Sequence, residues 1–214
     1  MVVTLSREPA SALTHLIGAI LSVGALAALI YRGAVSGTAW HVVSFTVFGV
    51  SLIVLYTAST LYHGLALSPR AKLAFRRLDH MMIFVLIAGT YTPFCLVPLR
   101  GSWGWPLFGV IWGCAVLGMI VKLFWMNAPR WLSLGFYLLM GWLVVVAAYP
   151  LSQSVSAASL TWLGVGGLLY TVGAVFYAVK WPSPWPGRFG FHEIWHLFVM
   201  AGSAAHFVAV LALV

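Results

Sequence analysis

Long apolar runs broken by short polar stretches organise the chain. Seven runs recur, near residues 11–30, 42–65, 79–98, 104–124, 131–150, 159–180 and 192–213. Each approaches the roughly 20 residues that an α-helix needs to cross a hydrocarbon core. The interruptions carry turn and interface residues: Arg32-Gly33 to Trp40, Ser68-Pro69-Arg70, Pro98 to Trp105, Asn127-Ala128-Pro129-Arg130, Pro150 to Ser159, and Trp181 to Gly190. Trp103, Trp105, Trp125, Trp131, Trp181 and Trp185 gather at these ends, where amphipathic rings suit the membrane–water boundary. Alternation of period two is absent, which argues against a β-barrel. With no internal repeat and no linker, residues 1–214 read as a single all-α domain, a seven-transmembrane helix bundle.

Composition narrows the class further. The 214 residues are 63% hydrophobic and 7% charged, with a mean hydropathy of +1.03. A soluble domain carries about 25% charged residues, so soluble, disordered and nucleic-acid-binding readings are excluded. The net charge of +8 sets 11 Lys and Arg against three acids, Glu8, Asp79 and Glu193. In a chain this apolar the excess reads as topology. With the N-terminus inside, cytoplasmic segments hold Arg7, Arg70, Lys72, Arg76, Arg77, Lys122, Arg130, Lys180 and Arg188, against only Arg32 and Arg100 outside. The positive-inside rule therefore predicts a cytoplasmic N-terminus and an outside C-terminus. Cys95 and Cys114 lie in apolar stretches and read as small buried hydrophobes. The first apolar run exceeds the roughly 7–15 residues of a signal-peptide core and contains His15, so it reads as a span.

Ionisable residues inside apolar spans are costly and mark functional candidates. His63 falls at the cytoplasmic end of the second span, with Ser59 four residues earlier on the same face. Asp79 opens the third span from that side, and His192, Glu193 and His196 open the seventh. Four residues apart on a helix, His192 and His196 can share one ion. A third imidazole from His63 leaves the fourth tetrahedral position to water, the arrangement of catalytic zinc. Asp79 would take a hydrogen bond and then a proton from that water, and Ser59 would orient it or stabilise an oxyanion.

His192-Glu193-Ile194-Trp195-His196 also fits H-E-x-x-H. No acid follows Glu193, and Val199 and Gly202 stand where an extended protease motif has Gly and His. The match therefore supplies the histidine spacing without the protease, and Glu193 suits the positive end of its helix. Plainer roles stand beside these. Asp79 can serve as a helix N-terminal anion or pair with Arg76 or Arg77, and Ser59 can bond its own backbone. His15 is read as packing, His80 as interfacial and pointing about 100° away from Asp79, and His41 as incidental. His206 lies roughly 15 Å along the helix from His196 and outside the site. Gly109 and Gly113 form a G-x-x-x-G pair of the helix-packing type.

Ser59-x-x-x-His63, Asp79 and His192-x-x-x-His196 resemble the signature of the progestin and adipoQ receptor family, in its bacterial hemolysin III branch. Glu8, Thr14-His15-Leu16-Ile17-Gly18, Arg77-Leu78-Asp79-His80 and Gly89-Thr90-Tyr91-Thr92-Pro93-Phe94 carry the likeness across nearly the whole chain. The resemblance implies seven helices with a cytosolic N-terminus, in a multi-pass protein of the bacterial inner membrane. It also implies zinc on His63, His192 and His196, with Asp79 reached through bound water and Ser59 close by. Eukaryotic relatives are linked to hydrolysis of ceramide-like amides, which implies a membrane lipid or fatty-acyl substrate. The leading expectation is a zinc-dependent hydrolase of lipid amides or esters. The alternatives are a sensor or regulator of membrane state with structural zinc, and a pore-forming cytolysin.

Overall fold

The computed structural model describes residues 8–214, so Arg7 lies outside the described residues. The described chain is helical, and seven of its segments are long and apolar enough to cross a membrane. The helices are α1 (Pro9–Ser36), α2 (Ala39–Gly64), α3 (Pro69–Leu96), α4 (Gly104–Phe124), α5 (Arg130–Trp142), α6 (Ala148–Ser152), α7 (Ala157–Val179) and α8 (Phe191–Leu211). The short helix α6 continues α5 through the 3-10 turn Leu143–Ala147, and together they make the fifth span. Neighbours in sequence pack side by side, and α8 closes against both α7 and α1.

Local sequence explains most of the boundaries. Pro9 and Pro69 stand at the first turns of α1 and α3, where the missing N–H costs nothing. Ser68 caps α3 by accepting from Ala71 N. The third span was expected to begin at Asp79, yet α3 starts ten residues earlier. Its first turns carry an exposed Arg70 and the partly buried Lys72, Arg76 and Arg77, with Lys72 Nζ donating to Tyr62 O at 2.9 Å. Asp79 therefore sits roughly 15 Å into the helix, which removes its reading as an N-terminal anion.

The fifth span was expected to be one continuous helix. Pro150 cannot donate to the carbonyl four residues back, and Tyr91 occupies the break. Its hydroxyl lies 2.8 Å from both Met140 O and Gly141 O and accepts from Val144 N at 2.7 Å. Backbone groups freed inside a membrane span are thus satisfied by a buried side chain. Two glycines mark close approaches. A Cβ on Gly89 would fall 2.4 Å from Ser51 Oγ, and one on Gly18 would fall 3.0 Å from the Tyr56 ring. Gly109 and Gly113 behave otherwise: nothing lies within 4 Å of where their Cβ atoms would be. Their spacing resembles a packing motif, but that face of α4 points away from the bundle. Cys95 and Cys114 are both free, and all six Trp at the span ends are exposed.

The fifth span contacts α3, α4 and α7 sparsely. A cavity of about 370 Å³ opens between them, reaching from Asp79, His192 and His196 past Leu107 and Leu151 to His206.

Candidate metal centre

His63 ends α2 and His192 and His196 begin α8, so the alternation of spans brings all three to one end of the bundle. Their candidate ligand atoms lie within 4.8 Å of one another. His63 Nε2 stands 3.4 Å from His192 Nε2. Two nitrogens at the usual zinc–nitrogen distance and a tetrahedral angle are separated by about 3.3–3.4 Å. His63 and His196 are almost fully buried, and the cluster has the spacing to hold a metal ion.

Hydrogen bonds fix which nitrogen is free on two of the rings. Glu8 Oε2 accepts from His63 Nδ1 at 2.6 Å, which leaves the lone pair at Nε2. That bond holds the Glu8 carboxyl below the usual carboxylate range. Thr14 spends its hydroxyl hydrogen on Ser11 O at 2.9 Å, so it accepts from His196 Nδ1 at 3.1 Å. His196 Nε2 is then the nitrogen open to an ion. Polar partners behind ligating histidines orient the rings and raise their basicity. Glu8 and Thr14 thus stand behind two of the three rings, a placement that spacing alone did not reveal. The signal for Glu8 was its rarity, as one of three acids in the chain.

Glu193 turns away from this cluster. It accepts from Gly190 N at 2.8 Å and from Ser11 Oγ at 2.5 Å. This is the helix-terminal role expected from the positive end of α8, and no protease base is available in the H-E-x-x-H match.

Asp79 is buried and lines the cavity beside His192 and His196. His80 Nδ1 lies 3.5 Å from Asp79 Oδ2, and neither Arg76 nor Arg77 forms an ion pair with Asp79. His80, expected to point elsewhere, faces the same cavity. Ser59 is fully buried with no hydrogen-bond partner for Oγ, so it does not bond its own backbone. Its hydroxyl lines the cavity.

His15 does more than fill space. Its ring stacks on His196 with centroids 3.6 Å apart and planes 8° apart, and neither nitrogen has a partner. His206 stays apart from the cluster as expected, but it lines the far part of the cavity. His41 accepts from Thr38 N at 3.0 Å and caps α2.

A family model described as Haemolysin-III related matches residues 3–207. The hemolysin-3 homolog of Bacillus subtilis is 46% identical over 209 residues, covering 97% of this chain and 94% of the relative. Hemolysin-3 of Bacillus cereus is 46% identical over 205 residues, covering 96% and 90%. The human monocyte to macrophage differentiation factor is 29% identical over 217 residues, covering 97% and 84%. With seven membrane-crossing segments and a match over nearly its whole length, the chain belongs to the haemolysin III-related family of multi-pass membrane proteins.

Proposed function

We propose that this protein is a zinc-dependent hydrolase of membrane lipid amides or esters, working at the cytoplasmic leaflet of a bacterial inner membrane. The observation that carries the reading is the convergence of the three imidazoles beside a largely apolar cavity that also holds Asp79 and Ser59. His63, His192 and His196 would hold the metal. When bound, zinc supplies Lewis-acid polarisation and a water acidified to a pKa of about 7.

The remaining work falls to the chain's own side chains. Asp79 stands outside the set of mutually close ligand atoms, which suits it to receive a proton from an intervening water rather than to ligate. The unpartnered Ser59 hydroxyl donates a hydrogen bond to the substrate oxygen or fixes the water. Apolar side chains of the cavity receive the acyl chain and exclude bulk water. The nine-to-two excess of basic residues supports setting the metal-binding end at the cytoplasmic side.

The test is Asp79→Asn, measured for metal content and for hydrolysis of a panel of lipid amides and esters. Zinc should remain stoichiometric while turnover falls by about 10²–10⁴-fold, the usual worth of a proton-transfer group. Wild-type protein with a full complement of zinc and no turnover on any amide or ester would overturn the hydrolase reading. It would favour a structural metal joining α2 to α8 in a regulator.

A further inference from the structure

Three cations face the same cavity at the end that holds the histidine cluster. Lys122, in the last turn of α4, is only 3% exposed and donates to Ser133 Oγ at 2.5 Å. Arg130 begins α5, donates to Tyr177 O at 3.2 Å and lies over the Tyr177 ring. Arg76 projects from α3, one turn before Asp79. All three side chains line the cavity together with Ser133. Among the described residues, none of them has a carboxylate within ion-pairing distance.

Glu8 is hydrogen-bonded to His63 and Glu193 to the start of α8, and Asp79 forms no ion pair with any of the three. A role in topology alone asks only for basic residues in loops; it does not ask for a lysine buried within a span and turned toward a cavity. Burying a charge without a partner is expensive, and a ligand of opposite sign removes that cost.

We propose that Arg76, Lys122 and Arg130 form a headgroup site for a net-anionic phospholipid whose acyl chains enter the apolar part of the cavity. Two guanidinium forks and one ammonium suit phosphate oxygens. Arg76 and Asp79 share a face of α3, one helical turn or about 5 Å apart along the axis. A phosphate held at Arg76 therefore sets the lipid's ester linkages near Asp79. The inference rests on the hydrolase reading for its consequence, because it names the substrate class as an anionic ester lipid. The binding itself is measured without turnover.

Detergent-purified protein is offered equal amounts of phosphatidylglycerol and phosphatidylcholine with matched acyl chains. Retained lipid is counted by native mass spectrometry, with and without millimolar inorganic phosphate. Wild type should retain at least fivefold more phosphatidylglycerol. Lys122→Met and Arg130→Gln should each bring the ratio below twofold, while Lys122→Arg keeps it. Arg188→Gln, at an exposed loop position, should match wild type. If Lys122→Met does not fold, Arg130→Gln decides alone. Equal retention by wild type, or an equal loss in Arg188→Gln, overturns the site. Displacement of bound lipid by phosphate alone overturns the lipid assignment in favour of a free anion. Protein that hydrolyses nothing still reports the ratio, so failure of the headgroup site and failure of the hydrolase reading are separate results.

Discussion

Removing the Glu8 carboxylate tests whether the histidine cluster is built to hold an ion. In Glu8→Ala, His63 loses the acceptor that fixes its Nδ1 proton. A 2.6 Å bond to a charged oxygen is of the stronger class, and loss of such a partner lowers metal affinity by about 10–100-fold. At about 1.4 kcal/mol per tenfold, the range corresponds to roughly 1.4–2.8 kcal/mol. The Glu8 side chain is 45% exposed, so water competes for the carboxylate and the effect belongs near tenfold. Glu8→Gln keeps an acceptor without the charge and should fall between Glu8→Ala and wild type. Zinc affinity is read by titration against a chromophoric chelator, with His192→Ala as the reference for loss of a ligand. Affinity of Glu8→Ala within twofold of wild type, beside a collapsed His192→Ala, would refute the argument that Glu8 prepares His63 for metal.

Three further outcomes follow from the same geometry. Thr14→Val removes the acceptor behind His196 and should weaken zinc by about tenfold in that titration, while Thr14→Ser stays near wild type. Gly89→Ala forces a Cβ against Ser51 and should cost about 1–3 kcal/mol, read as earlier thermal loss of the monodisperse peak in size-exclusion chromatography. Gly109→Ala, with open space around it, should stay within about 0.5 kcal/mol. Tyr91→Phe leaves Val144 N and the Met140 and Gly141 carbonyls without the bridging hydroxyl. It should destabilise by about 1–3 kcal/mol, with faster amide exchange localised to Leu143–Ala147.

The histidine cluster was legible because two facts suffice for it. A four-residue spacing puts His192 and His196 on one helix face, and the alternation of spans brings the end of α2 to the start of α8. Depth along α3 was harder to read. Hydropathy scores the basic stretch before Asp79 as loop, whereas the helix persists there because Ser68 and Pro69 start it. The break in the fifth span depends on Tyr91, far away in sequence, so neighbouring residues carry only the hint of Pro150. Gly109 and Gly113 show the converse, because no neighbour within this chain approaches them. Spacing identifies a groove on a helix, but only the fold determines whether a neighbour enters it. His15 reads from the sequence as packing. Its partner, His196, comes from the other end of the chain.

The first helix contributes none of the three candidate ligands, yet it ties together the two helices that do. Glu8 at its start holds His63 of α2, while Ser11 and Thr14 reach Glu193 and His196 of α8. His15 then stacks on the same His196 ring. These contacts span about two turns of the chain at the start of α1. Contacts of this kind orient metal-ligating rings. On the proposed reading, a metal held beside a cavity lined by a buried carboxylate and an unpartnered hydroxyl would keep one position free for water.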